Sequence, residues 1–167
     1  AGARVCESCA AGQQQQNSAC VVCMKGQFSA SENVKCQQCP KGYIQDENGT
    51  TYCLPCIQGR YSDDEGMTSC KSCLQGKFGV IDMKKVVHCV KCDRGYYTNE
   101  EASTDCTKCE SGQYQNTIGM NNCMVCEIGK SQPEAGKQWC KKCDEGKYQN
   151  EDGQKSCNTC DAGKYSN

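Results

Sequence analysis

The sequence predicts a small disulfide-rich fold, mostly β and irregular, in which tandem hairpin repeats of about 17 residues form an elongated rod. Three observations carry this. CxxC pairs begin at Cys6, Cys20, Cys36, Cys53, Cys70, Cys89, Cys106, Cys123, Cys140 and Cys157, at intervals of 14, 16, 17, 17, 19, 17, 17, 17 and 17 residues. A glycine and an aromatic ring recur in phase with them. Large apolar side chains are scarce: Leu, Ile, Val and Phe number 18 of 167 residues, while cysteines number 20. So few apolar groups cannot offset the entropy of ordering the chain. Closure of short loops by disulfides, at roughly 3 kcal/mol per 15-residue loop, is the expected remedy. Bound metal is the alternative.

Aligned on the first cysteine, the unit reads C-x-x-C-x-x-G-x-(aromatic)-x4-G-x3, as in CKKCDEGKYQNEDGQKS from Cys140. The first glycine stands in every unit, at Gly12, Gly26, Gly42, Gly59, Gly76, Gly95, Gly112, Gly129, Gly146 and Gly163. A glycine fixed beside a crosslink predicts positive φ or close backbone approach. Two residues later stands Phe28, Tyr61, Phe78, Tyr97, Tyr114, Tyr148 or Tyr165, with Gln14, Ile44 (beside Tyr43) and Ser131 as exceptions. These rings read as structural spacers, and alternatively as an aromatic ladder for sugars. The second glycine falls in Asn48-Gly49, Glu65-Gly66, Ile118-Gly119, Ala135-Gly136 and Asp152-Gly153. Such pairs predict a tight hairpin turn. No segment carries a helical period. Repeat 1, with Gln13 to Gln16, is short, and repeat 5, around Val80 to His88, is long; both read as loop-length variation. Residues 1–167 thus form one continuous array of about ten repeats. Two strands per repeat at the usual strand spacing would give a rise on the order of 10 Å.

Twenty cysteines allow very many connectivities, and the sequence alone does not choose. Pairing the second cysteine of each CxxC with the first of the next would close every hairpin at its base. That gives Cys9–Cys20, Cys23–Cys36, Cys39–Cys53, Cys56–Cys70, Cys73–Cys89, Cys92–Cys106, Cys109–Cys123, Cys126–Cys140 and Cys143–Cys157. Cys6 and Cys160 remain, and a head-to-tail continuation would set them 13 residues apart, within the 11 to 16 of the internal pairs. The chain is therefore expected to be a window on a longer array, joined within one polypeptide or between subunits.

With glycine, ring and cysteines repeating in phase, as in Cys56-Ile-Gln-Gly59-Arg-Tyr61 through Gly66 to Cys70 and Cys73, the chain resembles the ephrin-receptor-like cysteine-rich repeat. That repeat belongs to the wider growth-factor-receptor cysteine-rich group. The resemblance covers nearly the whole chain. It implies small β-hairpins with laddered disulfides and no catalysis, and it carries the cysteine ladder onto the positions above. It carries no ligand-contact residue. Repeats 1, 5 and 8 depart from the pattern through Gln14, the insertion and Ser131.

The function expected first is a structural extracellular rod or filament component, partnered by further copies of the same array head to tail. A receptor or adhesion stalk binding a protein or glycan is the alternative, since the loops differ in sequence and weak contacts add by multivalency. A zinc array of paired CxxC motifs comes third. Against it, the glycine–ring–glycine segment recurs between all neighbouring pairs and not alternate ones. A redox role for CxxC requires a lowered thiol pKa, usually at a helix N-terminus, which this chain does not offer. No catalytic, cofactor or metal site is expected, because no Ser-His-Asp pattern, phosphate loop or carboxylate cleft is present. The 19 basic and 20 acidic residues are interleaved, against nucleic acid as a partner. No stretch approaches a membrane span. The cysteine density predicts a secreted or surface protein.

Some single residues remain. Asn48-Gly49-Thr50 is the one N-x-S/T sequon, so Asn48 is the expected N-glycan site. His88 is the only histidine, and nothing near it recurs as a partner. Trp139 precedes Cys140 as His88 precedes Cys89, and reads as a ring covering a disulfide or meeting a neighbouring chain. Asp46, Glu47, Asp63, Asp64 and Glu65 read as solvated turn charges, with weak calcium binding as their alternative.

Overall fold

The computed structural model describes residues 8–161; Cys6, Gly163 and Tyr165 lie outside the described residues. Among these, every regular element is a strand, and every strand pair is an antiparallel two-stranded sheet. The sequence explains how each pair forms. The segment after the second cysteine makes a four-residue turn closed by a backbone bond, Arg60 N to Ile57 O at 3.0 Å in repeat 4. Gly59, at φ 86°, fills its third position. This is the place in a type II turn that needs positive φ. The two residues after the glycine then pair with the two residues inside the next CxxC: Arg60 with Ser72 and Tyr61 with Lys71. The disulfide beneath them closes the loop.

By contact density the chain divides into two compact units, residues 1–72 with 79–88, and residues 73–78 with 89–167. In the first unit, the strand pairs of repeats 2 to 4 are Gln27–Phe28 with Gln37–Gln38, Tyr43–Ile44 with Leu54–Pro55, and Arg60–Tyr61 with Lys71–Ser72. Gly26 N donates to Gln45 O of the next repeat at 2.7 Å, and Gly26 O accepts from Cys39 N at 2.8 Å. Gly66 N returns a bond to Cys39 O at 2.8 Å. In the second unit, the pairs are Tyr96–Tyr97 with Thr107–Lys108, Gln113–Tyr114 with Met124–Val125, Lys130–Ser131 with Lys141–Lys142, and Lys147–Tyr148 with Asn158–Thr159. The same bonds recur there: Gly112 N to Gln132 O at 2.7 Å, Cys126 N to Gly112 O at 2.9 Å and Gly136 N to Cys109 O at 2.8 Å.

One expectation is corrected. The second glycine does not sit in a tight hairpin turn, because residues 62–70 separate the paired strands of repeat 4. Its positive φ instead aims its N–H at the second cysteine of the preceding repeat. The repeats also meet beyond their nearest neighbours. A Cβ on Gly26 would overlap the Gly66 carbonyl two repeats on, and one on Gly112 would overlap that of Gly153. Within each unit the backbone therefore coils until alternate repeats touch, which a simple rise per hairpin omits.

The atypical repeats have longer strands. In repeat 1, Gln13–Gln16 pairs with Ala19–Val22. Asn17 and Ser18, at φ 49° and 62°, connect them. This is the two-residue primed turn that matches strand twist. In repeat 5, Lys77–Ile81 pairs with Val87–Lys91. Gly79 there fits against the backbone of Gly59, where a side chain would overlap.

The interior is sulfur. Cys9, Cys23, Cys39, Cys56, Cys73, Cys92, Cys109 and Cys126 are 0 to 5 % exposed, and Val87 is the buried aliphatic residue among those described. The first cysteines of the pairs lie half-buried.

Candidate functional site

The repeating chemistry of this chain is its crosslink and the polar groups that lock it. Disulfides join Cys9–Cys20, Cys23–Cys36, Cys39–Cys53, Cys56–Cys70, Cys73–Cys89, Cys92–Cys106, Cys109–Cys123, Cys126–Cys140 and Cys143–Cys157. Each runs from the second cysteine of one CxxC to the first of the next, and none lies within a CxxC. Thiolates at these positions are consumed, so they hold no zinc. Cys160 is the described cysteine without a disulfide, half-buried. Its backbone N–H is seated like those of its bonded equivalents, on Gly146 O at 2.8 Å.

A second set of residues was missed by sequence reasoning. The residue after the ring is buried in repeat after repeat: Ser29, Gln45, Ser62, Thr98, Gln115, Gln132 and Gln149. The glutamines act alike. Gln115 donates from Nε2 to Asn122 O at 2.8 Å and accepts from Thr117 N at Oε1 at 3.0 Å. Gln45 and Gln149 do the same to Tyr52 O and Glu47 N, and to Ser156 O and Glu151 N. One side chain thus ties both ends of its loop. The shorter residues tie nearer atoms: Ser29 Oγ donates to Val34 O at 2.8 Å, and Ser62 Oγ to Asp64 O at 3.0 Å. No buried side-chain nitrogen or oxygen among the described residues lacks a partner. The signal was present in the sequence, since this position is polar in every repeat except at Gly79.

Asn48 is exposed, and its Oδ1 accepts the Lys25 N–H of the preceding repeat at 2.9 Å. Asp152 caps Ile128 N likewise at 2.9 Å. A glycan attaches through Nδ2, so this bond and that modification are compatible. The rings at Phe28, Tyr61, Phe78, Tyr97 and Tyr114, with Ile44, are half-buried, and Tyr148 is exposed. Trp139 is 67 % exposed and lines a shallow cleft with Tyr114, Glu127, Lys130 and Cys140.

His88 has a partner that the sequence did not reveal: its Nε2 lies 3.0 Å from Asp82 Oδ2. Asp82 Oδ1 also accepts Lys84 N and Val86 N, both at 2.9 Å. The His88 ring, followed by these amides, holds the Asp82 carboxyl below the usual carboxylate range. Of the acidic candidates, Asp63 is engaged by Lys71 at 2.6 Å, which lowers its pKa in the same way. Glu47 and Asp46 are exposed in their loop. No group of three or more His, Cys, Asp or Glu among the described residues is placed to hold a metal ion. No helix of the described residues is long and apolar enough to cross a membrane.

Geometry and sequence pattern converge with a comparison. A family model described as "Tyrosine-protein kinase ephrin type A/B receptor-like" matches residues 26–73 and 79–119. The chain belongs to this family. The two matched segments of the ephrin-receptor-like repeats flank residues 74–78, in the long repeat 5. The repeats beyond residue 119 keep the same turn, bond and crosslink. Family and disulfide content together give an extracellular receptor-type or structural domain. A search of curated proteins found no match.

Proposed function

We propose that this chain is a stretch of a structural extracellular rod or filament, located outside the cell or on its surface, and without catalysis of its own. The observation that carries this reading is the sameness of the repeat-to-repeat interface. The bonds Gly26–Gln45 and Gly112–Gln132 use equivalent atoms, so the face a repeat offers forward is the face its successor offers again. A heterologous interface of this type can repeat as long as units are added. Cys160 is backbone-seated for the next crosslink, so its partner is the first cysteine of a following repeat. The self-partner is another stretch of the array, joined head to tail. A glycan on Asn48 would stand clear of the backbone bonds.

A receptor or adhesion stalk with a protein or glycan partner is the second reading. The loops favour it, because they vary from repeat to repeat on one scaffold, as in Asp63-Asp64-Glu65 against Pro133-Glu134-Ala135. Mass spectrometry of non-reduced natural material tests both. A peptide joining Cys160 to the first cysteine of another repeat supports the open array. A free Cys160 thiol in a protein that sediments as a monomer overturns it.

A further inference from the structure

Seven repeats carry a ring two residues after the first glycine, and repeat 8 carries Ser131. The structure permits a comparison between neighbours. In repeat 7, Tyr114 fills its place, and the cleft beside it measures about 100 Å³. One repeat later the equivalent cleft is lined by Ser131 in place of Tyr114 and by Ser156 in place of Trp139, and it measures about 220 Å³. The ring has been removed, and the space has not collapsed.

The charge changes with the space. The repeat 7 cleft has one lysine and one carboxylate, Lys130 and Glu127, paired at 2.8 Å. The repeat 8 cleft is lined by Lys141, Lys142, Lys147 and Lys155, together with Asp144. Asp144 pairs with Lys141 at 3.1 Å. Lys142 and Lys155 enter no ion pair among the described residues. Ser131 is buried on the floor, its Oγ 3.3 Å from Cys157 Sγ. A concave site with excess cationic charge concentrates anions. Lysine supplies compact charge rather than the planar fork that selects one carboxylate.

We infer that the cleft at Ser131 binds an anionic saccharide, one bearing sulfate esters. The cavity left by a six-membered ring admits one sugar unit, and the two serine hydroxyls offer hydrogen bonds within it. The lysines arise from three separate segments, 141–142, 147 and 155. They ring the mouth in a way that suits several charges along one stiff chain. This reading is independent of whether the array polymerises.

The test titrates the chain with a fully sulfated glycosaminoglycan tetrasaccharide, its desulfated counterpart and inorganic sulfate, read by amide NMR shifts. The sulfated tetrasaccharide is expected to shift Ser131, Lys141 and Ser156 saturably, and the desulfated one to leave them unmoved. Ser131→Tyr restores the residue found in both flanking repeats and should abolish these shifts. Lys142→Gln and Lys155→Gln, which lie on the exposed surface, should each weaken binding by about two- to fivefold. Shifts that survive Ser131→Tyr, or that map elsewhere, overturn the site. Equal affinity for inorganic sulfate overturns the saccharide assignment.

Discussion

Alanine at Gly112 and alanine at Gly146 form a matched pair, because both glycines occupy the same turn position, at φ 85° and 74°. A side chain in that conformation costs roughly 1–2 kcal/mol, less about 0.5–1 kcal/mol recovered from the unfolded chain. Gly146→Ala should therefore cost about 0.5–1 kcal/mol, since its Cβ meets nothing within 4 Å among the described residues. Gly112→Ala adds an overlap with the Gly153 carbonyl. Relief requires the repeat 9 turn to move. That turn is held by Gly153 N to Cys126 O at 2.7 Å, Ile128 N to Asp152 Oδ1 at 2.9 Å and Gln132 N to Gln154 O at 3.1 Å. Losing two or three of these at about 1 kcal/mol each brings the total to roughly 3 kcal/mol. With the disulfides intact the loss appears as local opening, so hydrogen exchange is the assay. Exchange at Gly153 and Gln132 should quicken about a hundredfold in Gly112→Ala, against a few-fold near Gly146→Ala. Equal effects in the two variants would refute contact between alternate repeats.

Three further outcomes are expected. Gln115→Ala removes both ties of its loop, so exchange at Thr117 should gain the equivalent of about 2 kcal/mol in opening, with little change in repeat 9; unchanged protection would remove Gln115 from its pivot role. Ala102 holds φ 55° where other repeats have the turn glycine, and its N–H bonds Cys73 O at 2.8 Å. Ala102→Gly should stabilise that loop by about 0.5–1 kcal/mol, read as slower exchange at residue 102. Asp82 has a folded pKa below its unfolded 3.8, so its contribution to the repeat 5 loop is complete above that value and is lost as pH falls through the lower folded pKa. Amide shifts of Lys84 and Val86 should report release below about pH 3.8, and Asp82→Asn should abolish that titration.

The repeat, the turn glycines and the site of each crosslink were legible because cysteine spacing and positive φ leave few alternatives. The buried pivots were not. Ser29, Gln45 and Thr98 share a position but not a side-chain shape, and each read singly looks like surface. Asn48-Gly49 was misread because a hairpin turn and an inter-repeat donor both ask for glycine at positive φ. The contact of Gly26 with Gly66 lies beyond a one-repeat period altogether. His88 found Asp82 only once the long hairpin of repeat 5 set them on opposite sides of its tip.

The crosslink topology also decides where the molecule can be cut. Between Cys126 and Cys140, for example, two covalent routes run side by side, the loop and the sulfur bridge. A nick at Lys137 would add water yet release nothing. From Cys140 to Cys143 only one route exists, through the exposed Lys141-Lys142. Each CxxC from Cys20–Cys23 to Cys140–Cys143 is such a single-thread link between doubly tethered loops. Tension and proteolysis both find their vulnerable points there, at regular intervals, and severance at any of them leaves both fragments with their own bridges closed.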